Sequence, residues 1–265
     1  MGNSIDLTTM EFAASLALCG YENMASQVLN NMHLINDEEK LTRYIEEVEI
    51  SLKSKGYWEE ERSSSLVSGL EDLLHLLVHS KKKVRLIKAT QILFIHLLDE
   101  KTVLIQEIKN QIHSFAIHKI KDDVFQLLLK YYKNDLPDQS VEIQQTLLLS
   151  DQMYDELHNL DPKVIDNIIN DKKIEVELKQ FLQDFKNNNK EFDNLSFMEM
   201  DYINDNLHIH QVIFMLPSEK FVWHLDYERI NDKEVYVIPT KIDTYFEKIN
   251  QEILDYFFLG DSTHV

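Results

Sequence analysis

The chain has 265 residues, 44% of them hydrophobic, enough for one large or two ordinary globular domains with a sizeable core. Its net charge of −19, from 27 basic and 46 acidic residues, excludes a nucleic-acid binder of the usual basic kind, because phosphates would be repelled. The one cysteine, Cys19, excludes an internal disulfide framework, points to a reducing compartment, and sits in a stretch, FAASLALCG, that reads as buried packing.

The opening MGNSIDLTTMEF lacks the basic and apolar regions of a signal peptide, and no run approaches the roughly 20 apolar residues of a membrane span. A cytoplasmic protein without direct membrane insertion is the expectation. Thr8 or Thr9 is placed to cap a first helix carrying Phe12 and Leu16, broken from a second by Gly20. A third helix shows Leu41, Tyr44, Ile45, Val48 and Leu52 on one face and stops near Gly56; a fourth carries Leu70, Leu73, Leu74 and Leu77. The basic run Lys81-Lys82-Lys83, with Arg85 and Lys88, reads as a solvated loop or helix end.

From residue 84 to residue 120 the apolar residues become dense and β-branched, with turns expected at Asp99-Glu100-Lys101 and Lys109-Asn110-Gln111. Ile120, Val124, Leu127, Leu128 and Tyr131 then form a helical face. The polar segment 133–140, KNDLPDQS, divides the chain into a first half, 1–136, and a second, 137–265, joined too tightly to swing as independent domains. The second half restarts with Ser150 as a helix cap. It continues through short helices to strands at 207–215, 220–227 and 234–238, and closes on a helix carrying Ile242, Tyr245, Phe246, Ile249, Ile253 and Tyr256.

The two halves resemble each other. ILFIHLLDEKTVLIQEI (92–108) lies beside QVIFMLPSEKFVWHLDY (211–227), placing Leu97, Glu100, Lys101 and Val103 on Leu216, Glu219, Lys220 and Val222. Phe115, Ile117, Asp122 and Phe125 then fall on Tyr236, Ile238, Asp243 and Phe246, and, more weakly, Leu7 and Thr9 on Leu148 and Ser150. The expected fold is therefore α+β with a pseudo-two-fold internal duplication, each half running from short helices to antiparallel hairpin strands and a closing helix.

Catalytic motifs are scarce. The five glycines form no cluster, which removes the glycine-rich phosphate loops and the hydrolase nucleophile elbow. His75 and His79 stand one helical turn apart, but without the glutamate of a zinc protease they read as surface histidines, as do His208 and His210 on a strand. No enzyme activity, cofactor or metal is expected. The apolar hairpin Met215, Leu216, Pro217, Phe221 and Trp223, together with Phe257 and Phe258 in the closing helix, forms the expected partner-binding patch.

The opening LTTMEFAASLALCGYENMASQVL, the strand blocks ILFIHLLDEKTVLI and VIFMLPSEKFVWHL, and the closing helices FQLLLKYY and TYFEKINQEIL give the chain an order of elements that resembles the EspG family of type VII secretion chaperones. Its Lys-, Asn- and Ile-rich composition resembles that of low-GC Gram-positive bacteria, making it similar to staphylococcal EsaE-type accessory factors. The resemblance implies a non-enzymatic cytosolic adaptor. Such an adaptor would keep a helical secreted partner, a WXG-type protein or a toxin, soluble and guide it to the secretion ATPase. The alternative is an immunity or regulatory protein that neutralises a basic toxin, which the acidic charge would suit.

Overall fold

The computed structural model describes residues 4–30, 38–132, 145–202, 204, 206–219, 221–231 and 234–259. The polar segment 133–140 read as the boundary between halves lies outside them. The first half of the chain contains β1 (Ile5–Thr8), α1 (Thr9–Leu18), α2 (Glu22–Asn30), α3 (Glu38–Ser54), α4 (Ser68–His79), β2 (Lys82–Lys88), β3 (Gln91–Leu97), β4 (Thr102–Lys109), β5 (Ile112–Lys119) and α5 (Ile120–Tyr132). The second contains β6 (Leu147–Ser150), α6 (Asp151–Glu156), α7 (Pro162–Asn170), α8 (Val176–Asn187), β7 (Asp193–Asp201), β8 (Asn206–Pro217), β9 (Phe221–Asn231), β10 (Glu234–Lys241) and α9 (Ile242–Phe258). The fold is α+β, and every strand pairing whose register is described is antiparallel.

Strand order is the same in both halves. Hydrogen-bonded neighbours run β1-β5-β4-β3-β2 in the first and β6-β10-β9-β8-β7 in the second. Each half begins with a four-residue strand feeding directly into a helix capped by a hydroxyl: Thr8 accepts from the Glu11 N–H, and Ser150 from the Met153 N–H. The predicted alignment of Leu7 with Leu148 and Thr9 with Ser150 does not join like positions: the hydroxyl caps are Thr8 and Ser150, and the buried strand residues are Leu7 and Leu149, while Leu148 faces out. In the last strands Phe115 is buried, whereas Tyr236, predicted to match it, is half-buried and its neighbour Val237 is buried. A one-residue slip exchanges the two faces of a strand, so burial is the stricter guide to register.

The described chain forms two compact units that interleave along the sequence. Unit 1 is Met1–Arg85, Thr90–Ile120 and Phe197–His210; unit 2 is Leu86–Ala89, Lys121–Ser196 and Gln211–Val265. In unit 1 the apolar faces of α1 and α4 (Phe12, Leu16, Leu70, Leu74) cover one face of the sheet through Leu104 and Phe115. α1 starts on a capping box: the Thr8 N–H donates to Glu11 Oε2 at 2.6 Å while Thr8 Oγ1 accepts from the Glu11 N–H. It ends at Gly20, whose φ of +83° lets the Tyr21 N–H reach back to the Leu16 carbonyl. In unit 2 the matching layer is α7 and α8, with Ile165, Phe181 and Phe185 packed on Leu225, Val235 and Val237.

The basic run departs from expectation. Lys82–Lys88 is β2, a strand in which Lys83, Val84 and Leu86 are completely buried, so of the run only Lys81 lies in a connection. β1, β6 and β7 carry no strand signal in the sequence pattern. Two are only four residues long, and β7, with buried residues on both faces, shows no clean alternation.

Candidate functional site

The predicted partner-binding hairpin is closed from below. Met215, Leu216, Phe221 and Trp223 are buried, as is Phe257; Pro217 is half-buried and Phe258 is 41% exposed. The cause is α8. Phe181 meets the Trp223 indole edge-on at 5.7 Å, and Phe221 and Leu216 join the same cluster. The polar edge of the indole is satisfied as well, because Trp223 Nε1 donates to Asp184 Oδ2 at 2.9 Å. Burial raises the Asp184 pKa, opposed by hydrogen bonds from Trp223, Ser218 and Gln180. An apolar tip that looks available in the sequence is thus the lid of a core, and its residues cannot serve as an open docking patch.

Exposed apolar side chains lie elsewhere. Residues 206–209 and 211 at the start of β8 are exposed, with His210 half-buried, so both faces of this stretch are open. It nevertheless carries Leu207 at 51% and Ile209 at 45% exposure. Their period of two puts both on one face, while His208 and His210 share the other with rings 4.4 Å apart. The LHIH alternation is legible in the sequence, but not whether either of its faces is covered. At the end of α9, Phe258 is followed by Leu259, 67% exposed.

The most unusual chemistry lies inside unit 1, on the sheet face beneath α1. With Gln106 oriented as found, its Oε1 accepts from His96 Nε2 at 3.1 Å and its Nε2 donates to His113 Nδ1 at 2.9 Å. His113 therefore carries its proton on Nε2 and donates it to Thr9 Oγ1 at 3.2 Å, and that hydroxyl donates to the Gln111 carbonyl. All these bonds point the same way. Both imidazoles are held neutral. Burial pushes His96 down to about 3, with the Lys83 charge adding to it, and pushes His113 down to about 4. At the head of the row, the fully buried Lys83 has no hydrogen-bond partner for Nζ, which lies 4.1 Å from the centre of the Tyr202 ring. Burial alone brings its ammonium down to about 7.

Cys19 is half-buried, and burial, helped by the Glu71 carboxylate, pushes its thiol up to about 11, so it carries no thiolate at neutral pH. The described residues gather no group of three or more His, Cys, Asp or Glu side chains suited to a metal ion, and no described helix is long and apolar enough to cross a membrane. No protein-family model matches the chain, and no curated protein matches it.

Proposed function

We propose that this protein is a non-enzymatic adaptor of the type VII secretion chaperone kind, built on a duplicated scaffold, that holds a helical secreted partner in soluble form. The observation that carries the reading is the open start of β8. Leu207 and Ile209 stand on a strand exposed on both sides, where water gains nothing from two large apolar side chains and a partner's apolar helix face would. The net charge of −19 supports recognition of a partner with basic flanks and speeds their encounter. Met215 and Phe221 are buried and have no part in this surface.

The test is co-purification with a WXG-type protein or helical toxin encoded nearby, comparing the native chain with Leu207→Asp/Ile209→Asp. An unchanged thermal melt with lost capture supports the site; full capture by the double variant refutes it. The second reading, neutralisation of a basic toxin, is favoured by the same acidity. It predicts that the protein alone rescues cells expressing that toxin without the secretion ATPase, an outcome the adaptor reading does not give.

A further inference from the structure

The i, i+4 histidines of α4 have a structural setting that their sequence spacing alone did not reveal. His75 and His79 are both exposed on the helix surface, and their ring centroids are 4.1 Å apart, so the two imidazoles lie side by side on the last turns of α4. Tyr21, at the junction of α1 and α2, reaches across to this pair. Its hydroxyl hydrogen-bonds to His75 Nδ1 at 2.9 Å, and its ring stands nearly perpendicular to that of His79, 6.3 Å away.

We propose that His75 and His79 form a two-imidazole chelate for a late first-row divalent transition-metal ion such as Zn²⁺, Ni²⁺ or Cu²⁺, with Tyr21 orienting His75 from behind. Two imidazoles one helical turn apart on one face are the protein half of a chelate. The Tyr21 contact adds the feature that separates a ligand from an ordinary surface histidine. A metal-bound imidazole donates its second N–H to an oxygen that fixes the tautomer and ring orientation. With Nδ1–H donated to the Tyr21 oxygen, the lone pair of His75 Nε2 points away from the tyrosine and is available for a metal.

Glu71, one turn before His75, is ion-paired with Arg62, and the described residues gather no group of three or more His, Cys, Asp or Glu side chains suited to a metal ion. The remaining coordination positions fall to water or to a ligand from outside the chain. Imidazole donors select borderline ions and discriminate against Mg²⁺ and Ca²⁺, which prefer oxygen.

The experiment is titration of the full-length protein with Zn²⁺, Ni²⁺ and Cu²⁺ against a competing indicator, with Mg²⁺ as the hard-ion control. The variants are His75→Ala, His79→Ala, Tyr21→Phe and His208→Ala/His210→Ala, each checked by thermal melt for an intact fold. Either single histidine variant is expected to weaken binding at least about tenfold, and Tyr21→Phe by several-fold up to about tenfold. His208→Ala/His210→Ala is expected to leave affinity unchanged, and in the native protein Cu²⁺ is expected to bind tightest. Native-like affinity in the combined His75→Ala/His79→Ala protein overturns the site, as does a loss confined to the His208/His210 variant. Unchanged affinity in Tyr21→Phe removes the orienting role of the tyrosine.

Discussion

Replacing Lys83 with methionine should stabilise the protein and flatten its response to pH. Lys83 is 0% exposed and its Nζ has no hydrogen-bond partner, only the Tyr202 ring at 4.1 Å. Burial lowers its pKa from 10.5 to about 7. At about 1.36 kcal/mol per pH unit, that gap amounts to about 5 kcal/mol against the charged form in the fold. Between pH 7 and 10.5 the unfolded chain holds a proton that the folded chain has released, so stability rises with pH across this window and reaches its low plateau below pH 7. From pH 7 to 9.5 the native protein should gain about 3 kcal/mol from this group, on the same arithmetic. Methionine keeps the unbranched apolar stem without the charge, so Lys83→Met should be about 2–4 kcal/mol more stable at pH 7 and lack that rise. The assay is urea unfolding at pH 7, 8 and 9.5, followed by Trp58 fluorescence in a Trp223→Phe background, because Trp58 packs on the unit 1 core. Groups such as the Cys19 thiol titrate alike in both proteins and cancel in the difference. Parallel stability curves for the two proteins, or a methionine variant less stable than the native chain, would refute the reasoning.

Glu11 ties α1 to α3 by accepting from Ser51 Oγ at 2.6 Å and Lys55 Nζ at 2.7 Å. Burial by itself raises its pKa, but bonds from Lys55, Ser51 and the Thr8 N–H outweigh this and hold the carboxyl below 4.5. Its contribution is present above that value and lost as pH falls through the lower folded pKa, and Glu11→Ala should cost about 2–3 kcal/mol at pH 7 by chemical denaturation. Asp184→Ala leaves the buried Trp223 N–H unpaired and should cost about 2 kcal/mol in stability; with Trp223→Phe the losses should fall short of additivity by about 1 kcal/mol in a double-mutant cycle. The β4–β5 turn holds Asn110 and Gln111 at φ of +51° and +62°, and only the Gln111 backbone carbonyl is used by Thr9. Gln111→Gly should therefore raise the melting midpoint, by about 0.5–1 kcal/mol in stability.

Helical faces were the most legible part of the sequence, because a stripe repeated over several turns survives local error. Leu70, Leu73, Leu74 and Leu77 are all buried on α4, as are Tyr245, Phe246, Ile249 and Ile253 on α9. The helical period puts Ile45 with Val48 and Leu52 on the face of α3 that packs on α1, yet Ile45 is 58% exposed. The candidate site was less legible. Period-two patterning shows that alternate residues share a face but not whether that face is covered. Leu216, Phe221 and Trp223 have the same apolar signature as an open patch, and only the distant residues Phe181 and Asp184 decide that they are closed. Lys83 shows the reverse failure: a lysine run suggests solvent, but its last member lies in β2, where both faces are covered at that point and Lys83 is completely buried.

The interleaving of the units governs how the protein can be taken apart. A cut in the polar segment at 133–140 would leave the amino-terminal fragment without Phe197–His210, and the carboxy-terminal fragment without Leu86–Ala89 and α5. Neither fragment would carry the full inventory of one unit. Truncation studies at the sequence midpoint would therefore yield aggregation whatever the function, whereas the two fragments produced together in one cell can complement each other and restore the fold.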